Sequence, residues 1–339
     1  MPHSSLPAGY AFALRQELLA RNAAWARGRA HVESYGNPPV IVYEPDKDRH
    51  GNFFDPAYQA ICARQPWLQR LDKVHTQGER SLPRPALDPH RKWRELDSST
   101  SSDALLMNIF CAPQVCASST VRSMLGVESD APDPVFGWKA QVPLANGRSD
   151  RTEVDMLWGS LLVESKLTET DFQNRSANLV EAYLDFDEVF DPELLPRTAI
   201  PLARPRRSSE YVENLSQEFE SDLGDPEGFA HIDPLVKPPT EPGYASYQLL
   251  RNVLAAAATG ASFCVLHDAR RPDLAEAWFQ VMAAVRSAQV RTRLKVLTWQ
   301  ELSTALPEDL RLFLDLKYGI VPPGHPTTPL NEIAKSLTG

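Results

Sequence analysis

The chain has 339 residues, 42% hydrophobic and 23% charged, with a formal net charge of −9. It is long and apolar enough to bury a full core in one large domain or two, and its acidic balance argues against a protein that passively coats a polyanion, while leaving room for a local basic groove. Cys62, Cys111, Cys116 and Cys264 show neither CxxC spacing nor histidine partners, which points away from zinc and from a disulfide framework and towards reduced thiols in the cytoplasm.

The opening residues, Met1 to Pro7, lack a charged segment followed by an apolar one, so no secretory signal is expected. The most apolar stretch, Val253 to Leu266, is interrupted by Thr259, Gly260 and Ser262 and is too short to span a bilayer. Phe12 to Val32 carries Leu14, Leu18, Leu19 and Trp25 on one helical stripe, and Phe53 to Leu71 reads as a second helix. With the Pro-rich linker after Ser81, residues 1–94 are expected to form a helical extension. Ser98 to Ser102 then offers N-cap chemistry for a helix from Ala104 to Phe110, followed by a short helix at Thr120 to Leu125 and a strand at Val135 to Leu144.

A hairpin comes next. In Glu153-Val-Asp155-Met-Leu-Trp158-Gly-Ser-Leu-Leu-Val-Glu164-Ser-Lys166, Gly159 and Ser160 separate two apolar-rich runs. Period-2 geometry puts Glu153 and Asp155 on one face of the first strand and Leu162, Glu164 and Lys166 on one face of the second. Three carboxylates and an amine then converge at one end. Such carboxylates suit a Mg²⁺ that keeps several waters, and a lysine two residues after a ligand glutamate can hold or activate an attacking water. Alternating charge on a solvated hairpin face is the plain structural alternative.

Asp171 to Phe190 reads as one long amphipathic helix. Residues 197–243 form an irregular excursion with seven prolines between Pro201 and Pro242, enclosing an acidic helix at Ser209 to Leu223. Regular patterning resumes with a helix at Tyr244 to Ala258, a buried strand at Ser262 to His267, a helix at Leu274 to Ala288 and a strand at Leu294 to Thr298. Helical segments follow from Glu301 to Tyr318, broken at Pro307 and stopped by Gly319.

From Arg94 to Tyr318 this order and the hairpin motif resemble the PD-(D/E)XK phosphodiesterase, or restriction-endonuclease-like, superfamily. The resemblance implies an α/β fold, an αβα sandwich with an αβββαβ core and a mixed central sheet over residues 95–320, with 321–339 as a C-terminal tail. Asp155 matches the first acid, Glu164 the second and Lys166 the lysine, and Gln248 matches a frequent polar position on a later helix. The Pro-Asp pair is replaced by Glu-Val-Asp. The implied activity is a Mg²⁺-dependent nuclease, with Mn²⁺ as substitute, acting on nucleic acid, with DNA the expected substrate and the sequence itself not separating DNA from RNA. Asp155 and Glu164 would hold the metal, with the Ser165 carbonyl and Glu153 as further ligands; Glu153 could equally pair with Arg148 or Arg151. Glu95 and Asn108 are auxiliary candidates.

Helical spacing places Gln248, Arg251 and Asn252 on one exposed side, where Arg251 can meet phosphate. Arg204, Arg206 and Arg207 are the foremost phosphate-facing candidates, with Arg270, Arg271 and the cluster from Arg291 to Lys295 behind them. Trp158 is expected to pack against a neighbouring helix rather than a base, and His267 to be a satisfied interior residue. The rival reading is a catalytically inactive nuclease-like protein that binds nucleic acid or organises an assembly. No membrane contact is expected, and a homodimer or a partner protein is left open.

Overall fold

The computed structural model describes residues 9–74, 82–202 and 239–336. The N-terminal segment comprises helix α1 (Gly9–Trp25), strands β1 (His31–Glu33), β2 (Ile41–Tyr43), β3 (Pro45–Asp46) and β4 (Arg49–His50), and helices α2 (Asp55–Cys62) and α3 (Gln65–Arg70). Next come a 3₁₀ turn at Glu95–Asp97, α4 (Ser102–Phe110), α5 (Ser119–Leu125), β5 (Val135–Lys139), β6 (Val142–Pro143), β7 (Ser149–Asp150), β8 (Glu153–Trp158) and β9 (Leu161–Ser165). Then follow β10 (Arg175–Ser176), α6 (Ala177–Val180), α7 (Phe186–Val189), β11 (Arg197–Pro201), β12 (Thr240–Tyr244), α8 (Tyr247–Thr259) and β13 (Ser262–His267). The chain continues through α9 (Pro272–Ala284), α10 (Ala288–Arg291), β14 (Leu294–Thr298), α11 (Trp299–Ser303), α12 (Glu308–Tyr318) and α13 (Leu330–Ser336).

The central sheet has the order β14-β13-β9-β8-β5. β13 runs parallel to both β14 and β9, whereas β8 is antiparallel to β9 and β5, so the sheet is mixed. β9 is buried along its whole length, as expected of a strand covered on both faces. On one face Leu161, Val163, Cys264 and Leu266 pack with α1, α2, α4, α5, α11 and α12; on the other Leu162, Phe263 and Val265 pack with α6 to α10. This is the αβα sandwich of a restriction-endonuclease-like fold.

Local chemistry accounts for the elements around the site. Ser101 caps α4 by accepting from the Ala104 N–H, which satisfies one of the free first-turn amides. Gly159 takes φ +58° in the two-residue β8–β9 turn, a left-handed conformation that favours glycine. Trp158, at the turn, is fully buried with its ring 5.7 Å from Phe110 and with Arg122 over its face, so it belongs to the core. Truncating it to alanine would cost on the order of 3–5 kcal/mol.

Several boundaries differ from the sequence expectation. The first helix ends at Trp25, and the second is two helices, because Pro66 starts a new one after Arg64, whose backbone is extended. The N-terminal segment also holds the short β1–β2 and β3–β4 ladders, and Leu14, Trp25, Tyr43 and Phe53 share one core with Met156 and Trp158 of the sheet. The strand expected to reach Leu144 stops at Lys139.

The expected long helix at 171–190 is absent. Its backbone is claimed from outside: β10 pairs with β12, the Ala182 carbonyl accepts from Ala145, and the Leu184 N–H donates to Pro143. Only α6 and α7 remain helical, and the apolar Leu179 and Leu184 are exposed. The ends of the 197–243 excursion are regular, because β11 pairs antiparallel with β12; the expected acidic helix at 209–223 lies outside the described residues. The C-terminal tail carries α13, whose Ile333 is buried in the main core.

Candidate active site

The paired register of β8 with β9 ends at Met156 opposite Val163, so Asp155 and Glu164 sit one step beyond, where the ladder opens. There the Asp155 carboxylate replaces a ladder carbonyl: Oδ2 accepts from the Ser165 backbone N–H at 2.7 Å and from the Ser165 hydroxyl at 2.8 Å. Asp155 Oδ1 has no hydrogen-bonding partner among the described residues. Glu164 and Lys166 are both buried; Lys166 Nζ lies 2.9 Å from Glu164 Oε1, and the Asn252 side-chain amide donates to Glu164 Oε2 at 2.8 Å.

Burial pushes the Asp155 carboxyl up to about 8, aided by the charges of Glu164 and Asp103. Burial alone would lower the Lys166 pKa, but Glu164, Glu169 and Asp155 outweigh it and hold the amine above its ordinary range. The amine is therefore a standing cation at neutral pH.

The loop after Lys166 is clamped from the distal end of the chain. Trp299 Nε1 donates to the Lys166 carbonyl, and fully buried Arg271 donates to the carbonyls of Leu167, Glu169 and Thr170 while pairing with Asp273. Arg270 is likewise engaged with Asp268, Glu17 and the Tyr318 carbonyl. Neither arginine of this pair is free to face a phosphate, contrary to the sequence expectation; their positions after β13 make them internal ties.

Gln248, Arg251 and Asn252 do share the α8 face nearest the hairpin, but that face is covered. Arg251 and Asn252 are 3% and 0% exposed and Gln248 is half-buried, so the expected exposed side is an interior one. Arg251 donates to the Glu153 carbonyl at 2.8 Å and to Asn252 Oδ1, and its phosphate contact would require leaving both. Gln248 lies one turn before Asn252, and its Oε1 is buried without a partner among the described residues. Asn252, placed on this side of the helix from the sequence but given no role there, is the α8 residue that touches Glu164. Its i+4 spacing from Gln248 was the available signal.

Glu153 pairs with neither Arg148 nor Arg151; its carboxylate meets Arg70 of α3 at 2.7 Å. The same guanidinium reaches Asp103 at 2.6 Å, so Asp103, at the start of α4, is a second acid missed in the sequence. Glu95 lies in this network through Lys73, 2.9 Å away, and its pKa is raised, first by burial and then by Asp103. Asn108 serves the fold instead, accepting from the Phe54 N–H and donating to the Asn52 carbonyl. His267 is buried with Nδ1 2.9 Å from the Asp268 carbonyl, as expected of an interior histidine. Arg204, Arg206 and Arg207 lie outside the described residues.

Among the described residues no group of three or more His, Cys, Asp or Glu side chains is arranged to hold a metal ion. A cation here would rest on two carboxylates, a backbone carbonyl and water. That all-oxygen set is the one Mg²⁺ favours, and the free Asp155 Oδ1 fits it.

Sandwich, hairpin and acidic site together define a restriction-endonuclease-like protein. The sequence matches, over residues 19–319, the family described as restriction endonuclease associating with ARP, and the chain belongs to that family. No curated protein and no solved structure matches it. No helix among the described residues is long and apolar enough to cross a membrane.

Proposed function

We propose that the chain is a Mg²⁺-dependent nuclease that hydrolyses phosphodiester bonds, in DNA rather than RNA, at the site formed by Asp155, Glu164 and Lys166. The observation that carries this reading is the pair of carboxylates at the open end of β8 and β9, Glu164 buried and Asp155 half-buried, with a charged lysine held against Glu164. Two carboxylates in a desolvated pocket repel each other, and a divalent cation between them removes that penalty.

Asp155 and Glu164 would hold the cation, with the Ser165 carbonyl as a further donor. Glu153, committed to Arg70, stands outside this set. A divalent ion there supplies Lewis acidity and lowers the pKa of a bound water. Lys166, kept protonated, orients the attacking water and offsets charge growing on the phosphate; it is poorly suited to take a proton. Asn252 fixes the Glu164 carboxylate, and Trp299 and Arg271 fix the backbone that carries Lys166. The family description also supports association with an ARP partner, which would supply affinity that the acidic chain lacks.

The test is thermal melting with and without Mn²⁺, together with cleavage of duplex DNA. Mn²⁺ should raise the melting temperature of the wild type by mass action, and Asp155→Asn with Glu164→Gln should remove both that shift and the cleavage. A shift that persists in the double variant would refute the site. A shift that is lost, with no cleavage of any nucleic acid by wild type, would favour the inactive scaffold.

A further inference from the structure

We infer that Arg70, carried by α3 of the N-terminal segment, occupies the place of a second cation beside Asp155, so that the site takes a single divalent ion. This rests on the metal-dependent reading above. Asp103 and Glu153 flank Asp155, and the Arg70 guanidinium spans them, with Nη2 2.6 Å from Asp103 and Nη1 2.7 Å from Glu153. Lys73 extends the bridge, 2.9 Å from Glu95 and 3.7 Å from Asp103. These carboxylates are already neutralised by cations that belong to the chain.

The sheet is shaped to admit that guanidinium. Phe136 pairs with Met156 and Trp138 with Val154, which places Gly137 opposite Asp155. Gly137 has φ +66°, and a Cβ at this position would collide with Arg70 Nη1. Alternation also switches here: Phe136 and Met156 pack on one face of the sheet, Trp138 and Val154 on the other. The Arg70 side chain is only 8% exposed, and its buried Nε has no partner among the described residues. A guanidinium keeps its charge at every ordinary pH and spans two carboxylates in a fixed fork. A second metal ion would have to expel it from a buried ion-paired position, and breaking such a pair is strongly destabilising.

The test is the stoichiometry of Mn²⁺ binding to the full chain, read from the electron paramagnetic resonance of the free ion. Wild type and Arg70→Lys should each bind one ion, Asp155→Asn none, and Arg70→Met two. Glu153→Gln covers the case in which Arg70→Met does not fold: as a partner of arginine rather than of the ion, Glu153 should be replaceable with a change in Mn²⁺ affinity within about threefold, since only a longer-range charge is lost. Two ions in wild type, one ion at unchanged affinity in a folded Arg70→Met, or a loss of about tenfold or more in Glu153→Gln would overturn the inference. Wild type that binds no Mn²⁺ would sink the metal reading and this inference with it, whereas one ion in wild type and no gain in Arg70→Met sinks the arginine role alone.

Discussion

The side-chain amide of Asn252 donates to Glu164 Oε2 at 2.8 Å, joining α8 to the end of β9 across 88 residues of chain. Lys166 holds the other oxygen at 2.9 Å. A carboxylate this deeply buried is tolerated only when paired and hydrogen-bonded, and here each oxygen has its own donor.

Asn252→Leu should therefore destabilise the protein by about 1–3 kcal/mol, because Glu164 Oε2 is left buried without a donor. Arg251 loses an acceptor in the same variant. Asn252→Asp should be worse, since it sets a second carboxylate against Glu164. Urea denaturation measures both, and a more stable Asp than Leu variant would show that the amide is not the group that satisfies Glu164.

Lys166→Ala should lose on the order of 10²-fold or more in cleavage rate while retaining DNA binding. It should also melt earlier, because Glu164 keeps a buried charge without its partner. The double variant Glu164→Gln, Lys166→Met separates these effects: it should regain much of the lost stability and none of the activity. Equal cleavage by Lys166→Ala and wild type would remove the lysine from the mechanism.

Lys317 is fully buried, and burial holds its amine well below the usual lysine value of 10.5. Its Nζ donates to Asn22 Oδ1, which also accepts from the Tyr43 hydroxyl, and among the described residues no carboxylate offsets a charge there. The unfolded chain binds a proton at this lysine up to about pH 10.5 and the folded chain releases it earlier, so stability should rise with pH between the folded and unfolded pKa values. Lys317→Met should stabilise the protein at neutral pH and flatten that rise. Chemical denaturation at pH 7 and pH 10 provides the comparison, with an unchanged slope in the variant as the contrary result.

The hairpin, its glycine turn and the Asp155, Glu164 and Lys166 set were readable in sequence because period-2 alternation and turn chemistry are local properties. The cap of α4 and the stop at Gly319 were readable for the same reason: each depends on residues within a few positions. The 171–190 segment misled because its apolar spacing fits a helix, while its backbone bonds go to residues 143, 145 and 243–244, which no local window contains.

Periodicity and punctuation in the sequence determined where along the chain the sheet strands and the main helices fall, and which acids close the hairpin. Partner choice was decided by the tertiary structure alone. Arg70 is drawn to Glu153 and Asp103, Asn252 to Glu164, and Arg271 to the loop after Lys166, over separations of 83, 33, 88 and about 100 residues. The energy of a buried charge depends on which donors surround it in space, and one stretch of chain does not specify that.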